Sequence, residues 1–140
     1  MDVTLYTRQN CPLCEKAKTV LTSAGITPKE VDVDMDLELL RRFNEDVPVI
    51  YIGGAEAFRH RIEWQVVNGH HLEREFKFEN FADALAFTNR IGAVAEQQNH
   101  HPDIELGWGR VKVKMWSHDA GRITARDFRL AGAIDRVVSL

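Results

Sequence analysis

Histidines and carboxylates in the C-terminal half of the sequence have the types and spacing that proton-transfer chemistry needs. His100 and His101 are adjacent and are followed by Pro102, and His118 lies at the end of an alternating run. Imidazole is the side chain best suited to accept and donate protons near neutral pH. Glu96 precedes His100 by four residues, a spacing that places both side chains on one face of a helix. We therefore expect Glu96 to contact and orient His100, with His118 approaching from a strand.

Other interpretations of these residues stay open at this level. A histidine cluster can be a metal site, and His70 and His71 add two further imidazoles. Adjacent histidines can also be ordinary surface residues. Asp127 lies three residues after Thr124, which is the spacing of a capping box, so this carboxylate could simply cap a helix. Residue types and spacing alone thus leave catalysis, metal binding and structural roles as alternatives.

Both cysteines lie near the other end of the chain, in the segment Cys11-Pro12-Leu13-Cys14. Pro12 suits the first turn of a helix, where free backbone N–H groups and the helix dipole stabilise a thiolate at the preceding residue. We expect Cys11 to attack a disulfide and Cys14 to resolve the intermediate. A packing role for the pair is an alternative. A zinc site is another, although two thiolates supply only half of its ligands.

The composition of the chain limits the classes of function. The 140 residues carry a net charge of −3 and are 44% hydrophobic, which is enough for a core but gives no basic excess for nucleic acid. No apolar stretch approaches the roughly 20 residues that span a bilayer, and the N-terminus lacks the pattern of a secretory signal. We expect a cytoplasmic protein that binds neither nucleic acid nor membrane.

The N-terminal half alternates strand and helix patterns in the order βαβαββ. Strands are predicted at residues 3–7, 29–34, 47–52 and within 55–63, and helices from Pro12 to Gly25 and at 36–43. The apolar face of the first helix comprises Leu13, Ala17, Val20, Leu21 and Ala24.

The C-terminal half follows the order ββαββα. A hairpin is predicted at 61–78 around Asn68-Gly69, because both turn residues favour positive φ. A helix at 80–98, one or two strands at 104–118 and a helix at 124–139 follow. The apolar face predicted for the helix at 80–98 comprises Phe81, Ala84, Leu85, Thr88, Ile91 and Ala95.

Roughly residues 2–60 resemble the glutaredoxin-like branch of the thioredoxin superfamily. The resemblance rests on the Cys11-Pro12-Leu13-Cys14 motif after the first strand and on Val47-Pro48 at the start of the third. It implies a thioredoxin-like fold, a cis peptide before Pro48, and a redox site formed by Cys11, Cys14 and Pro48. The glycine pair and acidic residue with which glutaredoxins hold glutathione are replaced here by FRHRIE, residues 58–63.

Residues 64–140 resemble the pterin-4a-carbinolamine dehydratases. The residues that carry the resemblance are Trp64, Glu96, His100-His101-Pro102, Trp108, His118 and Asp127. It implies that the catalytic positions fall on His100, His101 and His118, with Asp127 assisting. We expect Glu96, Pro102, Trp116 and Ser117 to bind the substrate.

The reaction that this second resemblance implies is the loss of water from a 4a-hydroxytetrahydropterin to give a quinonoid dihydropterin, with no metal and no cofactor. It also implies a homodimer or homotetramer. The sequence thus predicts an α+β chain with a glutaredoxin-like domain at 1–62 and a dehydratase domain at 63–140. Two alternatives stay open: a thiol–disulfide oxidoreductase with a thiol redox partner, and a non-enzymatic dimerisation or binding module.

Overall fold

The computed structural model describes residues 1–138, and contacts between Cα atoms divide the chain into two compact units, Met1–Glu63 and Trp64–Leu140. The first unit has the predicted order βαβαββ, and the second has the predicted order ββαββα. The expected α+β fold class is therefore confirmed. No helix among residues 1–138 is long and apolar enough to cross a membrane.

The first unit is a four-stranded sheet with two α-helices. Its elements are β1 (Val3–Thr7), α1 (Pro12–Ser23), β2 (Lys29–Asp32), a short 3-10 helix (Val33–Met35), α2 (Leu37–Phe43), β3 (Val49–Ile52) and β4 (Ala55–Arg59). The strand order is β2-β1-β3-β4, with β1 parallel to β2 and the other neighbours antiparallel. The peptide bond between Val47 and Pro48 is cis, as the resemblance implied.

The cysteine pair lies at the N-terminal end of helix α1, next to the core of the first unit. Pro12 occupies the first turn, and Cys14, Ala17 and Leu21 are buried at helical spacing. Ala17 and Leu21 belong to the apolar face predicted for this helix, whereas Cys14, which is also buried, was not part of that prediction. One of the two thiol positions thus belongs to the core itself.

The second unit is an antiparallel sheet with two long helices. Its elements are β5 (Gln65–Val67), β6 (His71–Lys77), α3 (Phe81–Gln98), β7 (Asp103–Gly107), β8 (Arg110–Met115) and α4 (Ala125–Arg136). The strand order is β5-β6-β8-β7. Alternation along β8 buries Val111, Val113 and Met115. Residue 139, which the prediction placed in the last helix, lies outside the described residues.

The buried face of α3 differs from the predicted one. Ala84, Phe87, Ile91 and Ala95 are buried, whereas Phe81 and Leu85 are exposed. Steps of three, four and four residues between the buried positions follow the helical period more closely than the predicted set. Phe87 decides the orientation, because its ring packs 4.8 Å from the ring of Phe76 on β6.

The hairpin between β5 and β6 has a longer loop than predicted. Asn68 and Gly69 both have positive φ, as expected, at 54° and 66°. Val67 pairs with His71, however, so the loop contains three residues rather than two. The third loop residue is His70, which the hairpin therefore carries at its tip.

Candidate functional site

The candidate site is a cleft of about 360 Å³ in the second unit. The residues that line the cleft come from the segment after α3 and from the segment after β8: Asn99, His100, His101, Pro102, Asp103, Trp116, His118 and Asp119. The three histidines predicted to be catalytic therefore meet at one cavity, together with Pro102 and Trp116. Asn99, Asp103 and Asp119 were not predicted.

The end of α3 determines where the two adjacent histidines point. Asn99 adopts the left-handed conformation with φ of 49°, and the helix ends at Gln98. The side chain of His100 consequently leaves the helical path and does not meet Glu96, so the predicted contact between them is wrong. Glu96 instead hydrogen bonds to Nε2 of His101. Asn99, a residue type that favours the left-handed conformation, and Pro102 shortly after it are the sequence signals that could have indicated this change of direction.

His100 forms a buried pair with Asp127. Nε2 of His100 lies 2.6 Å from Oδ1 of Asp127, and the side chains are 10% and 0% exposed. Asp127 belongs to the first turn of α4, where the helix dipole favours a carboxylate. We call His100 and Asp127 the buried pair. Asp127 does not line the cleft but lies behind His100, so it can act only through that ring.

The second carboxylate oxygen of Asp127 is held by two donors. The hydroxyl of Ser117 lies 2.8 Å from Oδ2, and the backbone N–H of Thr124 lies 2.9 Å from the same atom. Because the single proton of Ser117 is used there, the hydroxyl of Thr124 is the donor in its 2.7 Å contact with Ser117. The expected capping interaction of Asp127 with Thr124 therefore exists alongside the contact with His100.

Ser117 is in a different place from the one we predicted. Its side chain was expected to bind substrate, but it is fully buried and its hydroxyl faces Asp127 and Thr124. The alternation of β8 explains this position, because Val111, Val113, Met115 and Ser117 all point to the interior. Ser117 is a support for the buried pair.

His101 and Glu96 form an exposed pair at the rim of the cleft. Their side chains are 56% and 78% exposed, in contrast to the buried pair. An ion pair in such surroundings is screened by water and contributes about 0–1 kcal/mol. We call these two residues the exposed pair.

Trp116 and His118 form the opposite wall of the cleft. Their rings are stacked, with centroids 4.4 Å apart and planes 14° from parallel. Next to them, Asp119 accepts a hydrogen bond of 2.6 Å from Arg126, and this contact lowers the pKa of Asp119. The wall thus offers an aromatic surface, an imidazole and a carboxylate that stays ionised.

The cysteine pair in the first unit is a disulfide between Cys11 and Cys14. Cys11 caps α1, with its sulfur 3.1 Å from the backbone N–H of Cys14. Cys11 is partly exposed and Cys14 is 1% exposed. The buried sulfur packs in a cluster with Val33, Phe43, Val47 and Val49.

No group of three or more histidine, cysteine, aspartate or glutamate side chains within residues 1–138 is arranged to hold a metal ion. His70 and His71, which raised the metal alternative, contact each other at the tip of the β5–β6 hairpin, with their Nδ1 atoms 3.1 Å apart.

Comparison with known proteins agrees with both resemblances. The family model of pterin 4 alpha carbinolamine dehydratase matches residues 54–137, and that of the glutaredoxin-like domain matches residues 2–77. Curated relatives named "Putative pterin-4-alpha-carbinolamine dehydratase" include those of Alkaliphilus metalliredigens and Rubrobacter xylanophilus. Each is 50% identical over 74 residues, which is 53% of this chain and 67% or 69% of the relative. The relative from Chloroflexus aggregans is 39% identical over 83 residues, covering 59% of this chain and 88% of its own.

Among solved structures, a transcriptional coactivator/pterin dehydratase from Brucella melitensis is similar, with a TM-score of 0.52 and 30% identity. The match covers 54% of this chain and 82% of that one. Each family match spans more than half of the 140 residues. The chain therefore belongs to the pterin-4a-carbinolamine dehydratase family of hydro-lyases and carries a glutaredoxin-like domain at its N-terminus.

Proposed function

We propose that the second unit removes water from a 4a-hydroxytetrahydropterin, such as 4a-hydroxytetrahydrobiopterin, to give the quinonoid dihydropterin. The observation that carries this proposal is the cleft in which His100, His101 and His118 converge. The reaction needs one proton delivered to the 4a-hydroxyl group and one removed from N5, so at least two proton-transfer groups must face the same ligand.

His100 is the base in this proposal. Its Nε2–H donates to Asp127, so the lone pair of the neutral ring resides on Nδ1. That nitrogen can take the proton from N5 of the pterin. Asp127 fixes the tautomer and orientation of the ring and is thus a positioning residue, with Ser117 and Thr124 holding it in turn.

His101 and His118 are the two candidates for the acid that protonates the leaving hydroxyl. Both line the cleft, one from the segment after α3 and the other from the segment after β8. The pterin ring packs against the indole of Trp116, next to Pro102 on the opposite segment. Glu96 orients His101 from the rim.

An assay with enzymatically generated 4a-hydroxytetrahydropterin tests this function. Formation of the quinonoid product is followed by absorbance for the wild type, His100→Ala, His101→Ala and His118→Ala. We expect the His100 variant and one of the other two to lose most of the acceleration. Dehydration that is unchanged in all three variants would remove the proposal. Lys77→Ala, an exposed residue at the end of β6, serves as the control.

A second activity, thiol–disulfide exchange by the first unit, is favoured by the asymmetry of its cysteines. The partly exposed Cys11 receives the attack or performs it, and the buried Cys14 resolves the mixed disulfide with a redox partner. In reducing a partner, the dithiol form gives up two electrons and two protons and returns to the Cys11–Cys14 disulfide. We expect the wild type to catalyse the reduction of a disulfide substrate by a dithiol, and Cys11→Ser to show no catalysis in the same assay. Equal turnover by both proteins would exclude this activity.

The subunit arrangement and the domain limits complete the proposal. We propose a homodimer or homotetramer, with domains at residues 1–62 and 63–140. Phe81 and Leu85, one turn apart on α3, are 44% and 40% exposed and suit a contact with a second copy. Light scattering after size exclusion tests the assembly, and a monomeric mass would contradict it. The cytoplasmic location stays a prediction from the sequence.

A further inference from the structure

Two histidines at the tip of the β5–β6 hairpin lie against the aromatic wall of the cleft. Leu72 pairs with Met115 in the β6–β8 ladder, so the residues beyond this pair on both strands lie opposite each other. The ring of His70 is accordingly 4.8 Å from that of Trp116, and the ring of His71 is 6.2 Å from it. Neither histidine lines the cleft or has a role in the proposed reaction.

His70 is anchored to the sheet through a chain of polar contacts. Its Nδ1 lies 3.1 Å from Nδ1 of His71, and Nε2 of His71 lies 3.3 Å from Oε1 of Glu73. Glu73 in turn lies 3.5 Å from Lys112 and 3.9 Å from Lys114. Burial acts to raise the pKa of Glu73, but the hydrogen bond from His71 and the two lysine charges together lower it. This series of polar contacts therefore ends at the ionised carboxylate of Glu73.

These contacts determine which ring nitrogens of His70 and His71 carry a hydrogen. Because Glu73 can only accept, Nε2 of His71 carries a hydrogen, and the lone pair of the neutral ring is on Nδ1. That lone pair accepts the Nδ1–H of His70. The orientation of the His70 ring is thus set by hydrogen bonds that begin in the sheet.

Trp116 transmits this orientation to the cleft. Its indole contacts His70 and is also stacked on His118 at 4.4 Å, and both Trp116 and His118 line the cleft. We propose that His70 is a positioning residue whose ring holds Trp116, and through Trp116 the imidazole of His118, in place for the pterin. This role rests on the proposed dehydratase function for its catalytic consequence but not for its structural one.

Two substitutions of His70 separate the contribution of its ring from that of its hydrogen bond. His70→Phe keeps a ring against Trp116 but loses the contact with His71, whereas His70→Ala removes both. His70 is exposed at a hairpin tip, so neither change disturbs a buried residue. Lys77→Ala at the other end of β6 is the matched control.

The first measurement is nuclear magnetic resonance of the protein without substrate. The indole N–H signal of Trp116, assigned with Trp116→Phe, and the ring signals of His118 are compared among the variants. We expect both sets of signals to shift in His70→Ala, to shift less in His70→Phe, which keeps the ring but not its hydrogen bond, and to stay unchanged in Lys77→Ala. Signals of Trp116 and His118 that are unchanged in His70→Ala would overturn the inference.

The second measurement is the dehydration assay on the same proteins. A lost ring contact corresponds to a fall in kcat/KM of about fivefold in His70→Ala, and His70→Phe should recover to within about twofold of the wild type. Equal losses in the Phe and Ala variants would contradict a role for the ring. If the wild type shows no dehydration, the proposed function fails, and the resonance shifts alone decide whether His70 positions Trp116.

Discussion

Two neighbouring histidines in the second unit each hydrogen bond to a carboxylate, but in opposite surroundings. The buried pair, His100 and Asp127, has side chains 10% and 0% exposed, whereas the exposed pair, His101 and Glu96, has side chains 56% and 78% exposed. Asp127 is fixed by two further donors at its other oxygen. Similar chemical groups therefore give a fixed tautomer in one pair and a solvent-screened contact in the other.

The largest effect should come from removing the imidazole of the buried pair. His100→Ala deletes the proposed base, and proton transfer by a positioned side chain contributes about 10²- to 10⁴-fold to rate. We expect kcat for dehydration to fall within this range, measured by single-turnover absorbance. A kcat within threefold of the wild type would mean that the buried pair does not move the proton.

Asp127→Asn should have the next largest effect. Ser117 and the N–H of Thr124 both donate to Oδ2, so the amide oxygen of asparagine takes that place and its NH₂ group faces His100. His100 must then accept at Nε2 and carry its hydrogen on Nδ1, which removes the lone pair from the cleft. We expect kcat to fall on the order of 10²-fold or more.

The tautomer itself can be measured in Asp127→Asn. Nitrogen chemical shifts of the His100 ring should show the hydrogen on Nε2 in the wild type and on Nδ1 in the variant. The same tautomer in both proteins would contradict this explanation, even if the rate falls.

Ser117→Ala should have an intermediate effect. It removes one of the two donors to Oδ2 but leaves the N–H of Thr124 in place. We expect the free energy of unfolding to decrease by about 1 kcal/mol, measured by urea denaturation. The kcat should fall only severalfold, because the contact between Asp127 and His100 remains. A loss as large as that of Asp127→Asn would give Ser117 a direct role in catalysis instead.

The smallest effect should come from the exposed pair. Glu96→Gln removes a charge whose contact with His101 is worth about 0–1 kcal/mol. We expect kcat of Glu96→Gln to stay within about threefold of the wild type. The kcat of the wild type should itself change little between dilute buffer and roughly 0.5 M sodium chloride, because water already screens the contact of Glu96 with His101. A tenfold loss would show that exposure is a poor guide to which pair matters.

The order of the elements could be predicted because each depends on its own sequence. The Asn68-Gly69 turn, the Asn80 cap of α3 and the alternation along β8 are local signals, and the structure has the corresponding elements. The buried face of α3 could not be predicted in the same way. Phe81, Leu85 and Phe87 are all apolar, and the contact of Phe87 with Phe76 across the core selects the face.

The members of the site could be predicted, but not their partners. A spacing of four residues suggests that Glu96 meets His100, and this fails because Asn99 leaves the helical conformation. The actual partner, Asp127, is 27 residues away in sequence and reaches His100 only through the packing of α4. Its spacing from Thr124 correctly indicated a helix start, but no local pattern indicates a second contact for the same carboxylate.

The proposed dehydration requires the buried pair to move a proton, and one side-by-side measurement tests this requirement. Single-turnover dehydration rates of Asp127→Asn and Glu96→Gln should be measured at one pH with the same 4a-hydroxytetrahydropterin. We predict that Asp127→Asn is slower by about 30-fold or more, because Asp127 holds its imidazole away from water whereas the contact of Glu96 with His101 is exposed to solvent. Equal rates, or a slower Glu96→Gln, would contradict the account.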